Sequence, residues 1–216
     1  MKVRIVVAVA FVLSCAAKIP AYAQGGFSIA PKIGIFVPTT NLGAVPVTAD
    51  VYDVRNGPQD AALRSGVTFG ITAQYDLPTR PFGLRFDIAH APSLDVTVEG
   101  QTQEAVRATA SSLAVSLIKP FRVEQVRPFV MAGVGIRSYR FGPSPATGPQ
   151  FPSSNYDTEG VLGGGIAVDL RRFTVSAEVE DHFGTFQFDN DRGEGGGQRQ
   201  LQNNVLVSLA LRLRLQ

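Results

Sequence analysis

Residues 82–89 read Phe82-Gly83-Leu84-Arg85-Phe86-Asp87-Ile88-Ala89, and residues 173–180 read Phe173-Thr174-Val175-Ser176-Ala177-Glu178-Val179-Glu180. Every second residue is apolar in both, and the residues between are small, hydroxyl-bearing or charged. A period of two marks extended chain with two unlike faces, because successive side chains of a strand point to opposite sides. The second face is the unusual one: it gathers Arg85, Asp87, Glu178 and Glu180 with glycine, alanine and serine.

The same alternation recurs along the chain. The last strand sets Val205, Val207, Leu209, Leu211, Leu213 and Leu215 against Asn204, Ser208, Ala210, Arg212 and Arg214, with Leu206 the one large apolar residue on the second face. Ile29, Ile33 and Ile35 oppose Lys32 and Gly34, and Val67, Phe69, Ile71 and Tyr75 oppose Thr68, Gly70, Thr72, Gln74 and Asp76. Eight strands are predicted, over 27–37, 65–77, 82–92, 104–119, 127–141, 158–170, 173–188 and 201–215, and no stretch carries a 3.6-residue period.

Alternation alone fits either a soluble barrel with its apolar face inward or a membrane barrel with that face against lipid. The connections choose between them. Pro38–Arg64, Ser93–Gln103, Gly142–Asp157 and Asn190–Gln200 are long, whereas Pro78–Pro81, Pro120–Val126 and Arg171–Arg172 are short. Long and short therefore segregate to opposite ends of an up-and-down meander, as in outer-membrane barrels with short periplasmic turns and longer outer loops. Phe27, Tyr75, Phe82, Phe121 and Phe173 lie at the short-turn end with apolar-face parity, the placement of an interfacial aromatic girdle; Phe129 is level with them but has the opposite parity.

The start of the chain reads as an export signal. Lys2 and Arg4 precede a short apolar run, Ile5 to Leu13, and Ala21-Tyr22-Ala23 supplies a small-x-small cleavage pattern, so residues 1–23 are assigned as signal peptide and 24–216 as the barrel domain. Cys15, in Val12-Leu13-Ser14-Cys15, faintly resembles a lipoprotein processing site, but large Leu13 stands where that pattern has a small residue. The signal takes three of the 20 basic residues and none of the 18 acidic ones, leaving 17 against 18. No basic run remains to follow phosphates, which argues against nucleic acid as a partner. The content of 44% hydrophobic and 18% charged residues excludes a disordered chain, and the single Cys excludes a disulfide scaffold.

On the polar parity Lys32, Arg85, Arg137, Arg212 and Arg214 balance Asp76, Asp87, Asp169, Glu178 and Glu180. An eight-stranded barrel is only wide enough inside for side chains, so these groups are expected to meet one another in a charged network centred on Glu178, Glu180, Arg85 and Arg137. Inward glycines at 70, 83, 133, 135, 163 and 165 leave room for them. A narrow polar pore is the alternative reading.

Catalytic candidates are few. His90 has lipid-face parity, and Ser93 and Asp95 follow it, but Ser93 lies ~10 Å along an extended chain from His90 and on the other face. His182 shares the inward parity with two carboxylates, the setting of an ion network rather than a metal or proton site. No nucleophile-elbow, zinc-protease or phosphate-loop motif occurs, and Gly193-Glu194-Gly195-Gly196-Gly197 precedes no helix start. No enzyme activity, metal or cofactor is expected.

With its export signal, eight alternating strands, long outer loops and short turns, residues 27–216 resemble the small eight-stranded outer-membrane barrels, the OmpA/OmpX-like and opacity-protein-like porin family. The resemblance implies an all-β, eight-stranded antiparallel up-and-down transmembrane β-barrel in the outer membrane of a diderm bacterium. It also implies contact with outer-membrane lipid and lipopolysaccharide, and insertion by the barrel-assembly machinery. One departure is the end of the chain, Leu213-Arg214-Leu215-Gln216, where these proteins usually carry a terminal aromatic. Function is expected in the loops, as a structural or surface-interactive role toward an unknown extracellular partner; the alternatives are transport of small or apolar solutes and lipid modification. Loop Pro38–Arg64, with Val45, Val47, Val51, Tyr52 and Val54, is expected to form an extra hairpin.

Overall fold

The computed structural model describes residues 26–45, 59–78, 80–98, 106–121, 126–143, 151, 153–170, 173–186 and 200–215, without the side chains of 43–45, 59 and 213–215. The signal segment, Cys15 and the 193–197 glycine run lie outside the described residues, as do Val47, Val51, Tyr52 and Val54.

Ten strands are present among the described residues: β1 (Phe27–Pro38), β2 (Gly43–Val45), β3 (Gln59–Leu63), β4 (Gly66–Asp76), β5 (Gly83–Val98), β6 (Val106–Pro120), β7 (Val126–Phe141), β8 (Ser154–Leu170), β9 (Phe173–Phe186) and β10 (Gln200–Leu215). Eight of them close a barrel. β1 pairs with both β4 and β10, the β4 to β10 strands each pair with the next in sequence, and every pairing is antiparallel. β2 and β3 form the hairpin expected in the first long connection. It joins the sheet beside the outer part of β5, with Ala61 opposite Val98.

The polarity of the barrel is the inverse of a water-soluble one. Ile33, Val67, Phe86, Leu113, Val134, Leu162, Val179 and Leu209, one from each barrel strand, are exposed. Lys32, Arg85, Asp87, Arg137, Glu178, Glu180 and Arg212 are buried inside. Glycine makes room for the long inward side chains at specific points. A Cβ at Gly70 would stand 3.3 Å from Lys32 Cγ, and one at Gly165 would stand 2.8 Å from Phe129 Cζ, so each neighbour occupies the space its glycine leaves.

Two expectations need correction. β5 does not stop at 92 but continues to Val98, and β8 begins at Ser154 rather than 158. The β5 register shifts between Ala91 and Leu94, so Pro92 and Ser93 have no partners on β6. A proline has no N–H to give a ladder, and a bulge is where a strand accommodates one. The bulge also inverts the parity. Ala89 and Ala91 face inward before it, and Leu94, Val96 and Val98 face inward after it. Read as one uninterrupted alternation, the segment ends at Pro92.

The extended strands enclose an apolar core at the long-loop end. Leu42, Leu63, Leu94 and Val96 pack there with Tyr139, Phe141, Phe151 and Phe186. The rings stack or meet edge to face at centroid distances of 5.4–6.3 Å, within the favourable range for aromatic pairs. Tyr139 is the polar edge of this core. Its hydroxyl lies 3.0 Å from the Asn204 amide, whose oxygen also accepts from the Arg137 guanidinium. Tyr139→Phe keeps the packing and removes one buried hydrogen bond, so it is expected to lower unfolding stability by about 1 kcal/mol, read from urea titration of the folded barrel in detergent micelles.

Candidate functional site

The charged groups meet at the barrel's waist. Arg85 on β5 holds Asp87 with two bonds, Nε to Oδ2 at 2.7 Å and Nη2 to Oδ1 at 2.9 Å. Its Nη2 also reaches across the lumen to β9, donating to Glu178 at 2.5 Å and to Glu180 at 3.1 Å. Lys32 on β1 donates to Asp87 at 3.1 Å and to Glu180 at 2.6 Å, and the hydroxyls of Thr72 and Ser176 fill further acceptor sites on Asp87 and Glu178, each at 2.6 Å. Strands β1, β5 and β9 thus supply two cations and three carboxylates, and β4, between β1 and β5, adds the Thr72 hydroxyl. Each position follows from period-two parity.

A second group sits toward the long loops. Arg137 lies 3.8 Å from Glu159 and donates to the His182 carbonyl at 3.4 Å. His182 bridges the two groups: Nδ1 is 3.0 Å from Glu159 and Nε2 is 3.2 Å from Glu180. Both ring nitrogens face carboxylate oxygens, and only an imidazolium donates two such bonds. In that form Lys32, Arg85, Arg137 and His182 balance Asp87, Glu159, Glu178 and Glu180, charge for charge.

The other polar-parity residues lie elsewhere. Asp169 is at the short-turn mouth, bonded to Arg127 and to Thr174, each at 2.6 Å. Asp76, half-buried near the same mouth, accepts from Gln74 at 2.6 Å. Arg212 is buried and lines a small cavity there with Gln74, Asp76 and Arg127. The Arg214 side chain is outside the described residues. Arg137 thus belongs to the neighbouring Glu159–His182 group rather than to the centre around Arg85. Glu159 and Arg127 went unnoticed in the sequence, although Glu159 shares the inward parity of Val161, and Arg127 begins the strand that carries Arg137. Ile118, Phe129, Met131 and Ala167 pack beside the Arg85 cluster as a small apolar core, with the Phe129 ring centroid 6.0 Å from the Arg85 guanidinium carbon.

On the outside, Phe82, Phe121 and Phe173 are exposed at the short-turn end, while Phe27 and Tyr75 are partly covered and pair with each other across β1 and β4. Lys119 lies 5.7 and 5.4 Å from the Phe82 and Phe121 ring centroids. His90 faces outward and its Nδ1 is 2.9 Å from Ser111 Oγ on β6, not from Ser93, which sits in the bulge. Among the described residues no cluster of His, Cys, Asp and Glu has the form of a metal site.

No family model matches the chain, and no curated protein matches it in sequence. Its backbone is similar to solved structures. Outer membrane protein AlkL, determined in lipid bilayers, superposes with a TM-score of 0.57 at 15% identity, covering 92% of this chain and 94% of that one. Neisserial surface protein A superposes at 0.54 and 12% identity, covering 88% and 97%. OprG from Pseudomonas aeruginosa superposes at 0.53 and 13%, covering 92% and 100%. At these identities the likeness establishes the fold: a closed eight-stranded barrel of the small outer-membrane type.

Proposed function

We propose that this chain, which has the fold of the small outer-membrane barrels, is an integral outer-membrane protein. Its strands anchor it in lipid, its short turns face the periplasm, and its long-loop end carries a surface-interaction role. The observation that supports this reading most is the belt of exposed large apolar residues, present on every barrel strand. A water-soluble monomer seldom exposes more than a few hundred Å² of contiguous apolar surface. In a bilayer such a belt is the favoured surface, and a closed barrel satisfies every backbone group within it. The β2–β3 hairpin and the apolar core beneath it support the loop role, because they hold the outer end of the barrel as a packed platform.

A heat-modifiability gel on the membrane fraction tests this reading. Unboiled protein is expected to migrate apart from boiled protein and to resist carbonate wash; co-migration together with release by carbonate would refute it. The waist cluster occupies the lumen with side chains, so a planar bilayer holding the protein is expected to give no large, steady single-channel steps.

A second reading, uptake of a small apolar solute, draws on the apolar outer half of the lumen, where Leu94, Val96 and Phe186 line the wall. Faster entry of such solutes into reconstituted vesicles than into protein-free ones would favour it.

A further inference from the structure

The two ends of the barrel differ in charge. The three short connections and the strand ends level with them carry Arg80, Arg122, Arg127, Arg171, Arg172 and Arg212, with Lys119 and Arg214 besides, against Asp76, Glu124 and Asp169. The four long connections carry eight carboxylates against four arginines. The positive excess at the short-turn end has a buried member. Arg212 is 6% exposed, its Nε has no hydrogen-bond partner, and among the described residues no ion pair of 4 Å or less engages it.

A guanidinium taken out of water is costly unless its charge and its donors are met. The carboxylates around Arg212 are already engaged: Glu178 by Arg85 and Ser176, Asp169 by Arg127 and Thr174, and Asp76 by Gln74. Arg85 and Arg127, both within its field, repel it.

Arg212 lines a cavity of ≈ 20 Å³ with Gln74, Asp76, Arg127 and Phe129. Three groups of that lining lack a partner. Arg212 Nε and Arg127 Nε are buried donors without an acceptor, and Gln74 Oε1 is a buried acceptor without a donor. A space of ~10–15 Å³ holds one water, so only the head of a guest enters and its body lies in the mouth. Water meets hydrogen bonds but leaves the charge of Arg212 uncompensated.

We propose that this short-turn mouth binds the free carboxyl terminus of an acidic peptide chain in the periplasm. The proposal rests on the membrane reading above, which turns this end to the periplasm. A terminal carboxylate offers its oxygens to the two arginines, and the amide N–H of the same residue is the donor that Gln74 Oε1 lacks. An inorganic dianion fits less well, because Asp76 stands beside it and an unprotonated oxygen gives Gln74 nothing. The arginine-rich short connections favour acidic residues further along the guest.

The test uses the refolded protein in zwitterionic detergent micelles and a fluorescein-labelled tetrapeptide of glutamate and alanine, as the free acid and as the C-terminal amide. Fluorescence anisotropy is the readout. The free acid is expected to bind, and the amide to bind about tenfold more weakly for want of a charge-assisted contact. Arg212→Gln is expected to weaken the free acid by a similar factor and to leave the amide unchanged, while Arg140→Gln at the other end binds as wild type. Because Arg212→Gln removes a buried charge that has no partner, its urea midpoint is expected to stay at or above that of the wild type. Equal binding of acid and amide would overturn the proposal. So would displacement of the peptide by acetate at equal concentration, the mark of an adventitious ion only, and so would a marked fall in the Arg212→Gln midpoint, which would make Arg212 a structural member of the lumen. A protein that passes the heat-modifiability and carbonate tests yet treats acid and amide alike keeps the membrane reading and lacks this site, so the two failures are distinguishable.

Discussion

Arg85→Met is expected to lower the unfolding free energy by about 3–5 kcal/mol, the cost of leaving buried charges without their partner. Arg85 is fully buried and bonds to Asp87, Glu178 and Glu180 at once. Its removal leaves Glu178 without a cationic partner and Asp87 and Glu180 with only Lys32 and His182 within reach. Methionine fills a similar volume, so the loss measures charge rather than a cavity. Urea titration of folded protein in lipid vesicles, followed by the compact and extended gel bands, gives the number. The double variant Arg85→Met/Glu178→Gln is expected to regain part of the loss, because it also removes one of the stranded negative charges. Should the single variant cost less than 1 kcal/mol, water fills the waist and the closed-lumen account fails.

The barrel was legible in the sequence because its strands keep two unlike faces along their length. The outer face is apolar and the inner face is polar and crowded, so parity alone separates Ile33 from Lys32 and Phe86 from Arg85. Parity places a residue inside but not at a height, and height depends on register between strands. That is why Arg137, level in the pattern with the other cations, sits with Glu159 and His182 instead of with Arg85. The outer third was hidden by a different cause. At the Pro92–Ser93 bulge the period-two signal changes phase, so Leu94, Val96 and Val98 looked like loop residues although they line the lumen. A search for alternation that restarts after a proline, rather than one that must run through it, would have found them. No local pattern announces that Phe141, Phe151 and Phe186 share one core, since their contact depends on barrel closure.

Val134 and Leu201 separate a lipid-facing wall from a water-facing one. Val134 is 70% exposed and Leu201 is 68% exposed, both with outward parity. If water covered the wall, either could become arginine with a change of no more than about 0.5 kcal/mol, and the two would behave alike. In a bilayer they differ in depth. Val134 stands near the middle of β7, between Arg127 and Arg140, whereas Leu201 is at the loop end of β10, opposite Thr185. Val134→Arg is therefore expected to cost about 2–4 kcal/mol, the penalty of a guanidinium at the bilayer midplane, and Leu201→Arg about 0–1 kcal/mol. Both variants keep the inward network intact, so urea midpoints in vesicles report the wall alone. Equal, near-zero effects would mean that the apolar belt does not face lipid. A large loss at Val134 with almost none at Leu201 has no explanation in exposure, which is the same at both, and follows from depth in the membrane.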